Sequence, residues 1–254
     1  MTRSAARSGN AAASLAAYCA KRMGPPIDRL LCASNANNVL ADFLETGCYE
    51  IADRSLVKTA SPSMDILISS NLERLLYEIA GDSAQVRGWM EDLKNTRRFQ
   101  LDEITFSRLR KDMVGDWVDN QTCIATIGRA YREHQYLIDP HTAVGCAVAQ
   151  DFQEENRRGG GKEQVIVLAT AHPGKFAATV KLMNVVGAAD VPVADEDLRH
   201  GAPATGPQHH LLALRRVLYV NFLEGNALLL QQSLGGVAIG ADRGRIDFNG
   251  AHGQ

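Results

Sequence analysis

The chain has 254 residues, enough for one large domain or two small ones with a real core. Hydrophobic residues are 45 % and charged residues 22 %, which excludes disorder along the whole length. A formal charge of −2 gives no global attraction for nucleic acid or an anionic membrane, and no run approaches the ~18 apolar residues of a spanning helix.

The N-terminal residues 1–27 hold Arg3, Arg7, Lys21 and Arg22 and no acid before Asp28, a composition compatible with a transit peptide. The same stretch reads as a helix over about 11–23, with Leu15, Tyr18, Cys19 and Arg22 at helical spacing, ended by Gly24-Pro25-Pro26. Ile27–Ala33 is a short buried strand. Asn35-Ala36-Asn37-Asn38 is cap-rich and opens a helix through Phe43 and Leu44 that stops near Gly47. A loop runs from Ser55 to Ser63.

Leu72, Leu75, Leu76 and Ile79 then form one apolar helix stripe ending at Gly81. Asp82-Ser83 caps a helix carrying Val86, Trp89, Met90 and Leu93. A short helix near 102–111, a strand at Met113–Val118 and a helix at Gln121–His134 follow. Asp139-Pro140 starts a further helix running to about Glu155. Val165–Ala169 is the clearest strand. Leu211–Leu234 has helical apolar spacing, and the last twenty residues contain six glycines. Strands alternating with helices predict a three-layer αβα architecture with a mostly parallel sheet.

Several motifs are excluded. Gly161-Lys162 and Gly174-Lys175 lack the hydroxyl residue of a P-loop, and no G-x-S-x-G or H-E-x-x-H occurs. Five cysteines at wide spacings, with no C-x-x-C, argue for separate buried thiols and against a disulfide framework or zinc ribbon. No metal site is expected.

Three polar segments sit where a parallel sheet places ligands. They are Ser8-Gly9-Asn10 before a helix, Ser61-Pro62-Ser63-Met64-Asp65-Ile66 with Ser69-Ser70-Asn71-Leu72-Glu73-Arg74, and Ala169-Thr170-Ala171-His172-Pro173-Gly174-Lys175-Phe176 after the best strand. Each alone also reads as a cap, a solvated loop or a turn hydroxyl.

Together they resemble threonine synthase. The family's P-T-G-N-F-G-D stands here as Arg7-Ser8-Gly9-Asn10-Ala11-Ala12-Ala13, and its A-T-N-x-N-D-V-L as Ala33-Ser34-Asn35-Ala36-Asn37-Asn38-Val39-Leu40. S-P-S-M-D-I from Ser61, S-N-L-E-R-L-L from Ser70 and Asp139-Pro140-His141-Thr142-Ala143-Val144-Gly145 are also in order, within about residues 8–182. The resemblance implies an α/β three-layer αβα fold, a partial pyridoxal-phosphate fold type II (tryptophan-synthase-β-like). It implies the cofactor pyridoxal phosphate, the substrate O-phosphohomoserine, and the products threonine and phosphate. It assigns the cofactor phosphate to Gly9 and Asn10 and the pyridine nitrogen to Thr170.

It also implies departures. Ala12 and Ala13 replace a glycine and an acid of the phosphate loop. The family's Schiff-base lysine lies in an F-K-D motif upstream of that loop. None of Lys21, Lys58, Lys94, Lys111, Lys162, Lys175 and Lys181 sits in such a motif, and Arg110-Lys111-Asp112 reads as a charged helix face. The expectation is therefore no catalytic lysine in this chain. Residues 1–186 would be the downstream part of the cofactor-binding domain and 187–254 a divergent, partly helical tail. The expected setting is cytoplasmic, with no nucleic-acid or membrane partner and with self-association through an exposed sheet edge. A non-catalytic binding or signalling remnant is the alternative.

Overall fold

Apolar β-branched runs, joined by helices, pair side by side into a parallel sheet in a computed structural model. It describes residues 4–8, 11–134, 136–159, 164–169, 171–176, 178–179, 213–214, 217–223 and 226–227. In chain order the first elements are β1 (Ser4–Ser8), α1 (Ala11–Arg22), β2 (Ile27–Ser34), α2 (Val39–Thr46), β3 (Cys48–Glu50) and a 3-10 turn at Pro62–Met64. Next come α3 (Leu72–Ala80), α4 (Ser83–Thr96), β4 (Arg98–Gln100), α5 (Glu103–Asp112), β5 (Met113–Trp117), α6 (Asn120–His134), α7 (Pro140–Arg158) and β6 (Gln164–Ala169). A second 3-10 turn at Pro173–Phe176 precedes β7 (Ala213–Leu214), β8 (Val217–Leu223) and β9 (Asn226–Ala227).

The main sheet has the order β5-β2-β1-β6-β8-β7, with β9 on β8. The pairs β1–β2, β1–β6, β2–β5 and β6–β8 are parallel. β2 shows why three layers form. Its residues Leu30 to Ser34 are all buried, as a parallel strand covered on both faces requires. Leu30 and Cys32 pack with α1 to α4, while Leu31 and Ala33 pack with α6, α7 and β6. No helix among the described residues is long and apolar enough to cross a membrane.

Local chemistry sets the boundaries. Gly47 and Gly81 end α2 and α3 in the left-handed region, at φ 71° and 73°. Asp82, Asp102 and Asp139 cap α4, α5 and α7 through their side chains. Hydrogen bonds from Thr105 hold the Asp102 carboxyl below its ordinary value.

Within 211–234 the described residues 213–214, 217–223 and 226–227 are strand where the sequence predicts helix, and the rest of that stretch lies outside the described residues. Val217-Leu218-Tyr219-Val220-Asn221-Phe222-Leu223 is rich in β-branched and aromatic side chains, and it finds β6 as a parallel partner. The antiparallel pair β3–β4 has no counterpart among the elements expected from the sequence. Its strands are three residues each, too short for periodicity to register.

The cysteines are free and are not all buried. Cys32, Cys123 and Cys146 are, Cys48 is half-buried and Cys19 is exposed. Burial pushes the Cys32 thiol up, and burial followed by the Asp139 and Asp119 charges pushes Cys123 up to about 12. Brief alkylation of the native chain is therefore expected to label Cys19 and spare Cys32 and Cys123. Peptide mass spectrometry checks this, and early label on Cys123 would contradict the packing around it.

Candidate active site

The strand order reverses beside β1. The α1 crossover carries the chain from β1 to β2 on one side, whereas β6 enters on the other. Such a switch point opens a crevice at the carboxyl ends of the two strands, where doubly wound sheets bind ligands. β1 ends at Ser8 and β6 at Ala169, with Arg7 paired to Val167. The predicted site residues Gly9, Asn10 and Thr170 lie outside the described residues. The strands that precede them in the sequence, β1 and β6, are neighbours in the sheet.

α1 begins at Ala11, so its N-terminus lies at the carboxyl end of the sheet. Its first turn contains no acidic residue. The aligned peptide dipoles and N–H groups at the start of this twelve-residue helix suit the phosphate of pyridoxal phosphate. The donor chemistry is met at the phosphate end.

A polar knot forms the neighbouring wall. The Asp65 carboxylate accepts from Asn35 Nδ2 at 2.8 Å, Asn37 Nδ2 at 3.1 Å, Thr59 Oγ1 at 2.7 Å and Thr59 N at 2.9 Å. Asn37 exchanges a donor and an acceptor with the Val57 backbone, at 2.8 and 2.9 Å. Asn120 Oδ1 accepts from Ala60 N at 2.6 Å. The asparagines read as helix caps therefore fasten the long loop between β3 and α3. Asn38 and Asn71 occupy the N-cap positions of α2 and α3 without a side-chain cap bond. Ser61 and Asp65 are parts of this knot and not a solvated loop.

Behind it, Asp139 caps α7 by accepting from His141 N and Thr142 N, and it also takes the Thr142 hydroxyl bond. Its Oδ1 lies 2.9 Å from His141 Nδ1. Sequence reasoning missed this pairing. The Asp-Pro signal identified the cap but carried no hint of the ring bound two residues later.

Ser69 is the exception in this satisfied network. It is 8 % exposed, its backbone N–H donates to Tyr49 Oη, and its hydroxyl has no partner. It lines a cavity of about 20 Å³, room for one water, with Ser34, Asn37, Met64 and Tyr49. An unpaired buried hydroxyl costs about 1–3 kcal/mol. Ser69→Ala is expected to leave the melting temperature unchanged or raise it by a few degrees. A fall of several degrees in a thermal melt would contradict this.

The family model described as "Threonine synthase, C-terminal" matches residues 142–198. Threonine synthase-like 1 of Macaca fascicularis is 42 % identical over 173 residues, 68 % of this chain and 22 % of its own length. Threonine synthase of Saccharomyces cerevisiae is 41 % identical over 188 residues, 68 % of this chain and 36 % of its own length. Among solved structures, PLP-bound threonine synthase from Brucella melitensis superposes with a TM-score of 0.64 at 40 % identity, covering 78 % of this chain and 41 % of that one. The yeast threonine synthase structure gives 0.65 at 30 % identity, covering 87 % and 45 %.

The chain thus spans less than half the length of these relatives, from 22 % to 45 %. Its mixed α/β architecture with a parallel sheet is that of the fold type II threonine synthases. Over the matched residues, the chain belongs to the threonine synthase family.

Proposed function

We propose that the chain supplies one wall of a threonine synthase site, for the conversion of O-phosphohomoserine and water to threonine and phosphate. The observation that carries this reading is the switch point between β1 and β6 with the acid-free N-terminus of α1 beside it. Pyridoxal phosphate, when bound, supplies an electron sink for the carbanionic chemistry of the amino acid. Gly9 and Asn10, with the α1 N-terminus, would hold its phosphate. Thr170 would offer the pyridine nitrogen a neutral hydroxyl, which would leave that nitrogen less fully protonated than a carboxylate would. The Asp65 knot fixes the adjoining loop, and Ser69 leaves a free hydroxyl in it. The setting is the cytoplasm.

The chain's lysines include none in the family's F-K-D context. The lysine that carries the cofactor then comes from another polypeptide segment. The test is phosphate release from O-phosphohomoserine by the chain alone, and after co-expression with the lysine-bearing part of the yeast relative. The expected result is background release alone and turnover after co-expression. No release in either case, with no quenching of chain fluorescence by pyridoxal phosphate, would overturn the reading.

A second reading, a non-catalytic binding protein, is favoured by one observation. The long loop exposes Leu56, Val57, Ile66 and Ile68, between 39 % and 60 %. Self-association would use β5, which pairs only with β2 among the described strands. Asp116 Oδ1 takes the Trp117 N–H at 2.7 Å and blunts that edge. Gel filtration across a concentration series separates monomer from edge-paired oligomer.

A further inference from the structure

The Asp139–His141 pair is a buried dyad with no part in the reaction proposed above. Asp139 is 1 % exposed and His141 6 %. His141 Nε2 lies 3.1 Å from the Ser63 backbone nitrogen. A backbone N–H only donates, so Nε2 must be the bare acceptor. The ring proton then sits on Nδ1 and is donated to Asp139 Oδ1 at 2.9 Å. A carboxylate behind an imidazole is also how a general base is oriented. Here the lone pair that would take a proton is spent on Ser63, so the dyad is wired to hold.

What it holds comes from three places in the chain. The ring sits at the start of α7, and Ser63 lies 78 residues earlier, in the Pro62–Met64 turn. The Phe176 ring packs on the imidazole with centroids 4.6 Å apart and closes the Pro173–Phe176 turn that follows β6. Both turns flank the carboxyl end of the sheet.

The geometry points to His141 as a positioning residue. As a neutral Nδ1–H imidazole fixed by Asp139, it latches the Pro62–Met64 turn and the Phe176 turn into one wall. The latch stands on its own contacts, and only its use in holding a ligand rests on the function proposed above.

Two variants separate its two ends. His141→Gln puts an amide oxygen near the Nε2 position and keeps an acceptor for Ser63. His141→Asn keeps a donor near Nδ1 for Asp139 and reaches nothing at Ser63. Residue-resolved amide exchange on the full chain, without cofactor, reads the result independently of any activity. In the unaltered chain the Ser63 amide is expected to exchange slowly although its side chain is exposed, and ring nitrogen-15 shifts are expected to show Nε2 bare. His141→Asn is expected to speed Ser63 exchange at least about tenfold while α4 amides stay unchanged, and His141→Gln to restore most of the protection. Equal loss in both variants would make the ring a space-filler and overturn the proposal. So would a freely exchanging Ser63 amide or an Nε2–H tautomer in the unaltered chain, measurements that stand even if neither variant folds.

Discussion

Asp139→Ala is expected to destabilise the chain by about 3–5 kcal/mol, from a lost helix cap at about 1–2 kcal/mol and buried donors left unpaired at about 1–3 kcal/mol each. The carboxylate is 1 % exposed and serves the backbone N–H groups of His141 and Thr142, the Thr142 hydroxyl and the His141 ring. Alanine leaves those donors facing an apolar interior. The N-terminus of the 19-residue helix α7 loses its cap in the same step. α7 packs on β6 and contributes Ala143, Val144, Cys146, Ala147 and Val148 to the core on that face, so the loss spreads through one layer. Asp139→Asn keeps one acceptor oxygen and is expected to lose about half as much. Urea unfolding monitored by circular dichroism measures both, and a loss below about 1 kcal/mol for the alanine variant would contradict the network.

Gly115→Val is the second large effect, and it is expected to abolish native folding. Gly115 lies in β5 where α2 crosses it. A Cβ there would stand 2.7 Å from Ala41 Cα and 2.9 Å from Ala41 O, both backbone atoms, and 3.0 Å from Leu44 Cβ. Backbone cannot yield by rotating a side chain, so α2 must lift from the sheet. Phe43 and Leu44 of α2 are 0 % and 4 % exposed and would be drawn out of their packing. The Cβ of Gly115→Ala already meets those two backbone atoms, so that variant is expected to lose more than the about 1–3 kcal/mol of ordinary overpacking, and the two further methyls of valine add to the loss. The soluble yield and amide spectrum of each variant give the answer. A native-like spectrum from Gly115→Val would mean that α2 and β5 are not in close contact.

Much of the frame was legible because periodicity and punctuation agreed. The stripe of Leu72, Leu75, Leu76 and Ile79 and the stop at Gly81 predicted α3, and the structure buries all four side chains. Asp82 was readable as a cap because a cap needs only a short acceptor at one position, and Asp139-Pro140 as a helix start because Pro suits the first turn. The apolar run at 165–169 was readable as a central strand. The β3–β4 pair was not, since its stability comes from Tyr49 and Phe99 stacked at 5.3 Å, partners 50 residues apart. The strand at 217–223 was read as helix because an apolar stretch fits either period, and only the neighbouring β6 decides for strand.

Less of the candidate site was legible. The segments carrying Gly9, Asn10 and Thr170 could be found from the resemblance; these residues lie outside the described ones, and the structure shows only that the strands preceding them, β1 and β6, pair. The roles of Asn35, Asn37 and Asp65 could not be found. Local propensity makes each a cap or turn residue, whereas their hydrogen bonds span up to 30 residues of chain. The unpaired Ser69 hydroxyl is visible only as a failure of pairing in three dimensions.

The central claim is that this chain carries the phosphate wall of the site and not the lysine. Its most direct test is borohydride reduction of the chain saturated with pyridoxal phosphate, followed by intact-mass and peptide mass spectrometry. The account predicts no stoichiometric pyridoxyl label on any one of Lys21, Lys58, Lys94, Lys111, Lys162, Lys175 or Lys181. A single lysine labelled to one equivalent, at pyridoxal phosphate concentrations that leave the others free, would contradict it.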